Sequence, residues 1–183
     1  MKIIFVTGNK RKIGEASAAC KPFGIEIDPV NLDIHEIQHH DPVQISKQKA
    51  LEAFKIIGKP LVVNDAAWLI PALNGFPGGY MKDVTKWFSA EDFITLVLNK
   101  PDRRICLVET IVYKDRTMEK IIQKEFWGEI SKKPKGSGNS MERVVAFDGK
   151  TIGQYREAGQ YVIEPNQYIW NDFAKWHSNR KRD

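Results

Sequence analysis

The residues with the clearest chemical promise open the chain. An apolar, β-branched run, Ile3-Ile4-Phe5-Val6, stops at Thr7-Gly8-Asn9 and gives way at once to Lys10, Arg11 and Lys12. Such a run reads as a strand buried on both faces. Thr7, Gly8 and Asn9 make a tight turn, with Gly8 free to take dihedrals that other residues avoid. A helix starting directly after this turn presents unpaired N–H groups and the positive end of its dipole, and the basic side chains reinforce both. The combination favours an anion, phosphate first, with Thr7, Asn9 and Lys12 the best-placed side chains. A solvated helix start shows the same pattern, so the turn alone does not decide. The spacing is neither that of a Walker loop nor the G-x-G-x-x-G of a dinucleotide fold.

Carboxylates supply the second group. Pro60-Leu61-Val62-Val63 reads as a short buried strand that stops at Asn64-Asp65, and an acid at the C-terminal end of such a strand is a usual place for metal or base chemistry. A turn or helix cap is the plainer reading of Asp65, and a surface residue the plainer reading of Glu36. A basic phosphate turn with two carboxylates nevertheless has the parts that magnesium-dependent phosphate chemistry needs: Mg²⁺ takes one or two carboxylates, waters and substrate phosphates.

The order of these motifs resembles the inosine triphosphate / xanthosine triphosphate pyrophosphatase family, enzymes that hydrolyse non-canonical purine nucleoside triphosphates. Thr7-Gly8-Asn9-x-x-Lys12-x-x-Glu15 looks like its opening signature. Glu36-Ile37-Gln38, followed by Pro42, Ile45, Lys49, Ala50 and Ala53, looks like its second block. Val63-Asn64-Asp65 with Ala72-Leu73-Asn74-Gly75-Phe76-Pro77-Gly78-Gly79-Tyr80 looks like the third. Phe126-x-Gly128-x-Ile130 and Pro134-x-Gly136 fit a later strand and loop. The resemblance implies Thr7, Asn9 and Lys12 on the triphosphate, with Lys82 as a further phosphate-side lysine. It implies Glu36 and Asp65 on Mg²⁺, and Asp65 as metal ligand or as the base that prepares the attacking water. It also implies a homodimer.

Three departures accompany the match. The family carries an acidic pair where this chain has Asn64-Asp65. An aromatic block that cradles the base is replaced by Asn139 to Arg143. A Ser-His-Arg element that reads the purine is replaced around Ile169-Trp170-Asn171. The phosphate end is retained and the base-reading end rebuilt. Two functions therefore stay open: Mg²⁺-dependent hydrolysis of a nucleoside triphosphate to monophosphate and pyrophosphate, and a catalytically weakened nucleotide-binding or sensing protein.

These residues need elements to position them. The pattern predicts a helix over residues 10–21, a short strand between Gly24 and Val30, and a helix from Asp41-Pro42 to Gly58, with Asp as cap and Pro in the first turn. A small-residue loop follows at Asn74–Tyr80, then a helix from Glu91 to Asn99 after Ser89. Arg103–Tyr113 and Met118–Ile130 read as long strands joined at Lys114-Asp115-Arg116. Val144–Phe147 reads as a strand before a turn at Asp148-Gly149, and Asn166–His177 as a terminal helix anchored by Trp170, Phe173 and Trp176. The expected fold is α/β: a mixed, elongated central sheet flanked by helices, forming one domain over residues 1–183, with two lobes and an active-site cleft between them.

Composition narrows the partners. At 183 residues and 42% hydrophobic, the chain can bury a core. A net charge of +5 suits an anionic ligand, although part of it lies in the tail Arg180-Lys181-Arg182, expected to be frayed. No recognition motif accompanies the basic loop Lys132–Gly136, so nucleic acid is not expected. Cys20 and Cys106 make neither a disulfide framework nor a metal pair, and no membrane span or secretion signal is read, so a cytoplasmic protein is expected. His39, His40 and His177 lack the company a zinc site needs. Trp68 and Trp170 are the aromatic residues with a chance of stacking on a base, the plainer reading being core.

Overall fold

Ile3 and Phe5 point to one side of the first strand and Val6 to the other, and all three are buried, which is why this segment is a central strand rather than an edge. The computed structural model describes residues 1–180; Lys181 and Arg182 of the basic tail lie outside the described residues. The element order is β1 (Lys2–Val6), α1 (Lys10–Cys20), β2 (Glu26–Val30), α2 (Pro42–Ile57), β3 (Leu61–Ile70), β4 (Phe76–Gly78), α3 (Met81–Trp87) and α4 (Ala90–Leu96). It continues through β5 (Arg104–Lys114), β6 (Glu119–Ile130), β7 (Val145–Phe147), β8 (Lys150–Thr151), α5 (Ile152–Glu157) and α6 (Ile169–Ser178). The eight strands make one sheet in the order β2-β1-β3-β5-β6-β7-β8, with β4 paired to β3. It is mixed, as expected: β1 is parallel to β2 and β3, while β3–β4, β6–β7 and β7–β8 are antiparallel.

The chain divides into two compact units, Met1–Asp65 with Glu109–Lys124 and Ile163 onward, and Ala66–Val108 with Glu125–Val162. In the first unit, α1 and α6 cover one face of the sheet: Ala16, Ala19, Cys20, Trp170, Phe173 and Ala174 pack on Ile3, Phe5, Val62, Ile111 and Tyr113. α2 covers the other, with Ala50 and Ala53 on Val6, Leu61, Val63 and Val112. Asp41 caps α2 by accepting the Val43 N–H at 2.9 Å, and Gly58 ends it at φ 66°. Trp170 is a core residue rather than a base platform. It is 1% exposed and packs edge-on against Phe5 and Phe173, burial worth about 1.5–3 kcal/mol for a side chain of this size. The second unit closes around Ile70, Phe93, Ile105, Met141 and Val145. Here Gly136, at φ 70°, and Gly153 lie back to back. A Cβ on Gly136 would overlap the backbone of Gly153, and one on Gly153 would overlap that of Ser137.

Several expectations change. β3 does not stop at Asn64-Asp65. It continues to Ile70 because Trp68, Leu69 and Ile70 pair with Gly78, Pro77 and Phe76 of β4, which satisfies the backbone beyond the acid. Gly8 is not among the glycines with positive φ; it supplies room, since a Cβ there would stand 2.9 Å from Asn31 Oδ1. The helix after Ser89 is shorter, ending at Leu96, although Ser89 and Asp92 form the capping box that starts it. α6 begins at Ile169 because Pro165–Gln167 form a separate 3₁₀ turn. The short α3 and α5 were not read at all.

Arg180, expected to fray, is anchored. Its guanidinium lies 3.1 Å from Asp115 Oδ2 and over the rings of Tyr113 and Trp176. Asp115 turns the β5–β6 hairpin, accepting the Thr117 and Met118 N–H groups at 2.8 Å and the Tyr113 hydroxyl at 2.8 Å. Burial opposes ionisation of this carboxyl, but the four donors together outweigh it and hold it well below the usual carboxylate range. A depressed carboxylate stabilises the fold above its unfolded pKa of about 3.9 and loses that contribution as pH falls through its folded value. Asp115→Asn is expected to lower stability by about 2–4 kcal/mol at pH 7. The gap to wild type should narrow progressively below about pH 4. Urea midpoints at pH 7 and pH 3 measure both, and equal midpoints at pH 7 refute the tether.

Candidate active site

The turn after β1 is held from within. Thr7 N–H donates to the Val30 carbonyl at 2.9 Å, and the Asn9 N–H donates to Thr7 Oγ1 at 3.1 Å. Asn9 is the cap of α1: its Oδ1 accepts from the Arg11 and Lys12 N–H groups at 3.0 and 3.3 Å. Two donors expected to face an anion are therefore already occupied by Asn9. What the turn offers outward is side chains, and Lys12 leads them.

Lys12 turns inward from α1. Its Nζ donates to the Asn64 carbonyl at 2.8 Å and stands 3.8 Å from Asp65 Oδ1, with 15% of the side chain exposed. Burial lowers its pKa. Asp65 and Glu109 oppose that shift, while Lys49 and Arg11 add to it. β1 pairs with Leu61 and Val62 of β3, so Asn64 and Asp65 come just past its paired stretch, beside the turn. Asn64 is buried and its Nδ2 donates to the Thr110 carbonyl at 3.3 Å. An acid at that position would set carboxylate oxygens against a carbonyl; the amide fits because it donates.

Glu36 lies in the segment before α2, exposed, and is ion-paired with Lys49 of α2. Lys49 also bears electrostatically on Lys12. Thr7, Asn9, Lys12, Glu36 and Asp65 thus all belong to the first unit, with Lys12 and Asp65 in direct contact. Lys82 is exposed in the first turn of α3, in the second unit. Among the described residues, no three His, Cys, Asp or Glu side chains form a ready-made metal cage. His39 and His40 stack on each other at 4.4 Å, and His177 packs on Phe173, Trp176 and Tyr113. The two cysteines are buried and unpaired, and burial pushes the Cys20 thiol up to about 12 and that of Cys106 to about 11.

One group was missed. Glu109 interrupts the apolar run of β5 and is half-buried. Burial, then Glu15, raise its pKa, against Lys12, Arg11 and Lys124. A lone charge inside Ile105–Tyr113 was the signal that marked it in the sequence. The residues standing where base-reading groups were sought have internal duties. Asn139 and Glu142 exchange hydrogen bonds, Glu142 also pairs with Arg156, and the Asn171 amide donates to the Pro165 and Tyr168 carbonyls.

The family model described as the Ham1 family matches residues 3–156. A dITP/XTP pyrophosphatase of Methanopyrus kandleri is 27% identical over 183 residues, covering 98% of this chain and 97% of its own. An inosine triphosphate pyrophosphatase of Yarrowia lipolytica is 43% identical over 89 residues, covering 48% of this chain and 44% of its own. The structure of a HAM1 protein from Coxiella burnetii superposes with a TM-score of 0.80 at 20% identity, covering 98% of this chain and 100% of the other. An eight-stranded α/β sheet carrying the Thr-Gly-Asn turn and its inward lysine is thereby placed: the chain belongs to the Ham1 family.

Removing the inward ammonium tests the turn. Lys12→Ala should weaken binding of a non-hydrolysable nucleoside triphosphate by about tenfold or more, read by calorimetry. Because the Lys12 pKa is lowered from 10.5, its positive charge is lost at lower pH than that of an ordinary lysine. Wild-type affinity should therefore fall as pH rises through that depressed value, and the variant should lack this step. Equal affinities at pH 7 would remove the phosphate from this turn.

Proposed function

We propose that the protein hydrolyses nucleoside triphosphates to nucleoside monophosphate and pyrophosphate with Mg²⁺. The observation that carries this reading is the contact of the inward Lys12 with Asp65 beside a helix start. The pyrophosphatase names of relatives spanning nearly the whole chain support it. Lys12 meets the phosphate oxygens and neutralises charge that gathers on the leaving pyrophosphate. Thr7 and Asn9 shape the turn around it. Asp65 accepts a proton from the attacking water.

The donors available are hard carboxylates without thiolate or imidazole, which suits Mg²⁺, and Mg²⁺ needs only one or two of them beside substrate phosphates. Glu36 and Asp65 would hold it, and their present lysine partners are cations that an incoming triphosphate can draw off. When bound, Mg²⁺ supplies charge neutralisation on the phosphates. We extend the reading to a cytoplasmic homodimer, supported by the family resemblance and, for the compartment, by two unpaired cysteines. Among the described residues no helix is long and apolar enough to cross a membrane.

Asp65→Asn keeps size and shape but removes the base. Turnover should fall by at least about 10²-fold, while nucleotide binding without metal persists. Pyrophosphate release from a panel of ribo- and deoxynucleoside triphosphates measures it. Wild type inactive on every nucleotide sinks the enzyme reading; an undiminished variant moves the chemistry away from Asp65. The same panel should show less than about a hundredfold preference for inosine or xanthosine triphosphate, because Asn139, Glu142 and Asn171 are engaged within the protein. A larger preference would mean that other side chains read the purine.

A further inference from the structure

The charges beside the turn come in pairs. Lys12 stands 3.8 Å from Asp65, and Lys49 of α2 is paired with Glu36. Two lysines thus meet two carboxylates, the same two that the reaction assigns to Mg²⁺. Beyond the pairs, Glu109 bears on Lys12 with one negative charge. The start of α1 answers with the positive end of its dipole and with Lys10, exposed in its first turn. The margin in favour of an anion is narrow, and one more negative charge reverses it.

Asn64 is where that charge would sit, since it is one position at which the chain departs from the acidic pair of the family pattern. Its peptide carbonyl accepts Lys12 Nζ at 2.8 Å, so any side chain at 64 is carried by the residue that the ammonium touches. Asn64 is 5% exposed, and a charge so placed acts through protein, where Coulomb interactions are much stronger than in water. Asn64 brings none. Its amide donates to the Thr110 carbonyl at 3.3 Å, and buried Thr110 takes the Gln123 amide on its Oγ1 at 3.4 Å. The position is filled, hydrogen-bonded and neutral. A carboxylate there would give Lys12 a second counter-charge and set three acids against two lysines. Phosphates would then meet net negative charge unless a divalent cation came with them.

We propose that Asn64, by holding this position without charge, lets the turn capture a nucleoside triphosphate free of metal, so that Mg²⁺ serves turnover and is not required for binding. The inference rests on the nucleotide reading above and names the form of nucleotide that the site takes. Each lysine exchanges one carboxylate for phosphate oxygens, and no metal has to arrive first.

The test is calorimetric titration of wild type, Asn64→Asp and Asn64→Ala with a non-hydrolysable nucleoside triphosphate, once with EDTA and once with Mg²⁺. In wild type, Mg²⁺ should tighten binding by less than about tenfold. In Asn64→Asp, metal-free binding should weaken by at least about tenfold, and Mg²⁺ should restore most of it. Asn64→Ala loses the Thr110 bond as Asn64→Asp does but adds no charge. Its gain from Mg²⁺ should stay within about threefold of the wild-type gain, which separates charge from the hydrogen bond. A nucleoside monophosphate, with less charge to repel, should lose less affinity in Asn64→Asp than the triphosphate does. Equal losses for mono- and triphosphate, equal dependence on Mg²⁺ in wild type and Asn64→Asp, or a gain in Asn64→Ala as large as that in Asn64→Asp overturns the proposal. If Asn64→Asp does not fold, wild type decides alone: a gain from Mg²⁺ above about tenfold refutes the proposal and a smaller one supports it. Triphosphate binding under neither condition overturns the nucleotide reading itself, and this inference with it.

Discussion

The ammonium group of Lys12 is the point on which the site depends. It leaves the first turn of α1, crosses to β3 and hydrogen-bonds the Asn64 carbonyl beside Asp65. That bond fixes the strand, the turn and the helix to one another at the level of a side chain. Holding a cation there costs solvation, as its lowered proton affinity shows. The cost is a form of readiness: a positive charge already stripped of water needs little rearrangement to meet an anion.

Asn64 and Asp65 divide the labour at the same place. Asn64 serves the sheet, its amide answering the Thr110 carbonyl of the neighbouring strand, while Asp65 stays partly open and faces Lys12. The positions that differ from the family pattern tell a similar story. Glu142 ties Asn139 to Arg156, Asn171 ties α6 to the preceding 3₁₀ turn, and Trp170 fills the core. Groups sought for ligand recognition hold the protein together instead, and Lys12 with Asp65 remains as the meeting of opposite charges beside the turn.

Features with local causes were legible in the residues. Asp41-Pro42 before α2 and Ser89 before α4 carry their reason within four positions, and the structure shows those caps, while Asn9, read as a phosphate-side residue, also caps α1. The Lys12–Asp65 meeting was legible only through the order of motifs, since 53 positions separate the two in the chain. The second half of β3 was not legible: Ala66-Ala67 carry no period, and the strand persists through pairing with a three-residue partner. Arg180 escaped for the same reason, because its anchor Asp115 lies 65 positions away. Glu109 escaped because polarity within an apolar strand becomes telling only once burial and missing partners are known.

The back-to-back glycines of the second unit have a consequence for how this sequence can drift. A methyl group on Gly136 would run into the backbone of Gly153 and Gln154, and one on Gly153 into the backbone of Lys135 and Ser137, the two residues that flank Gly136. No side-chain change nearby opens room for either replacement, because every obstructing atom is main chain. The two positions are therefore locked independently, and no compensating exchange between them exists. A lineage can alter this corner only by re-routing the main chain of one of the two segments, not by exchanging a residue where they cross.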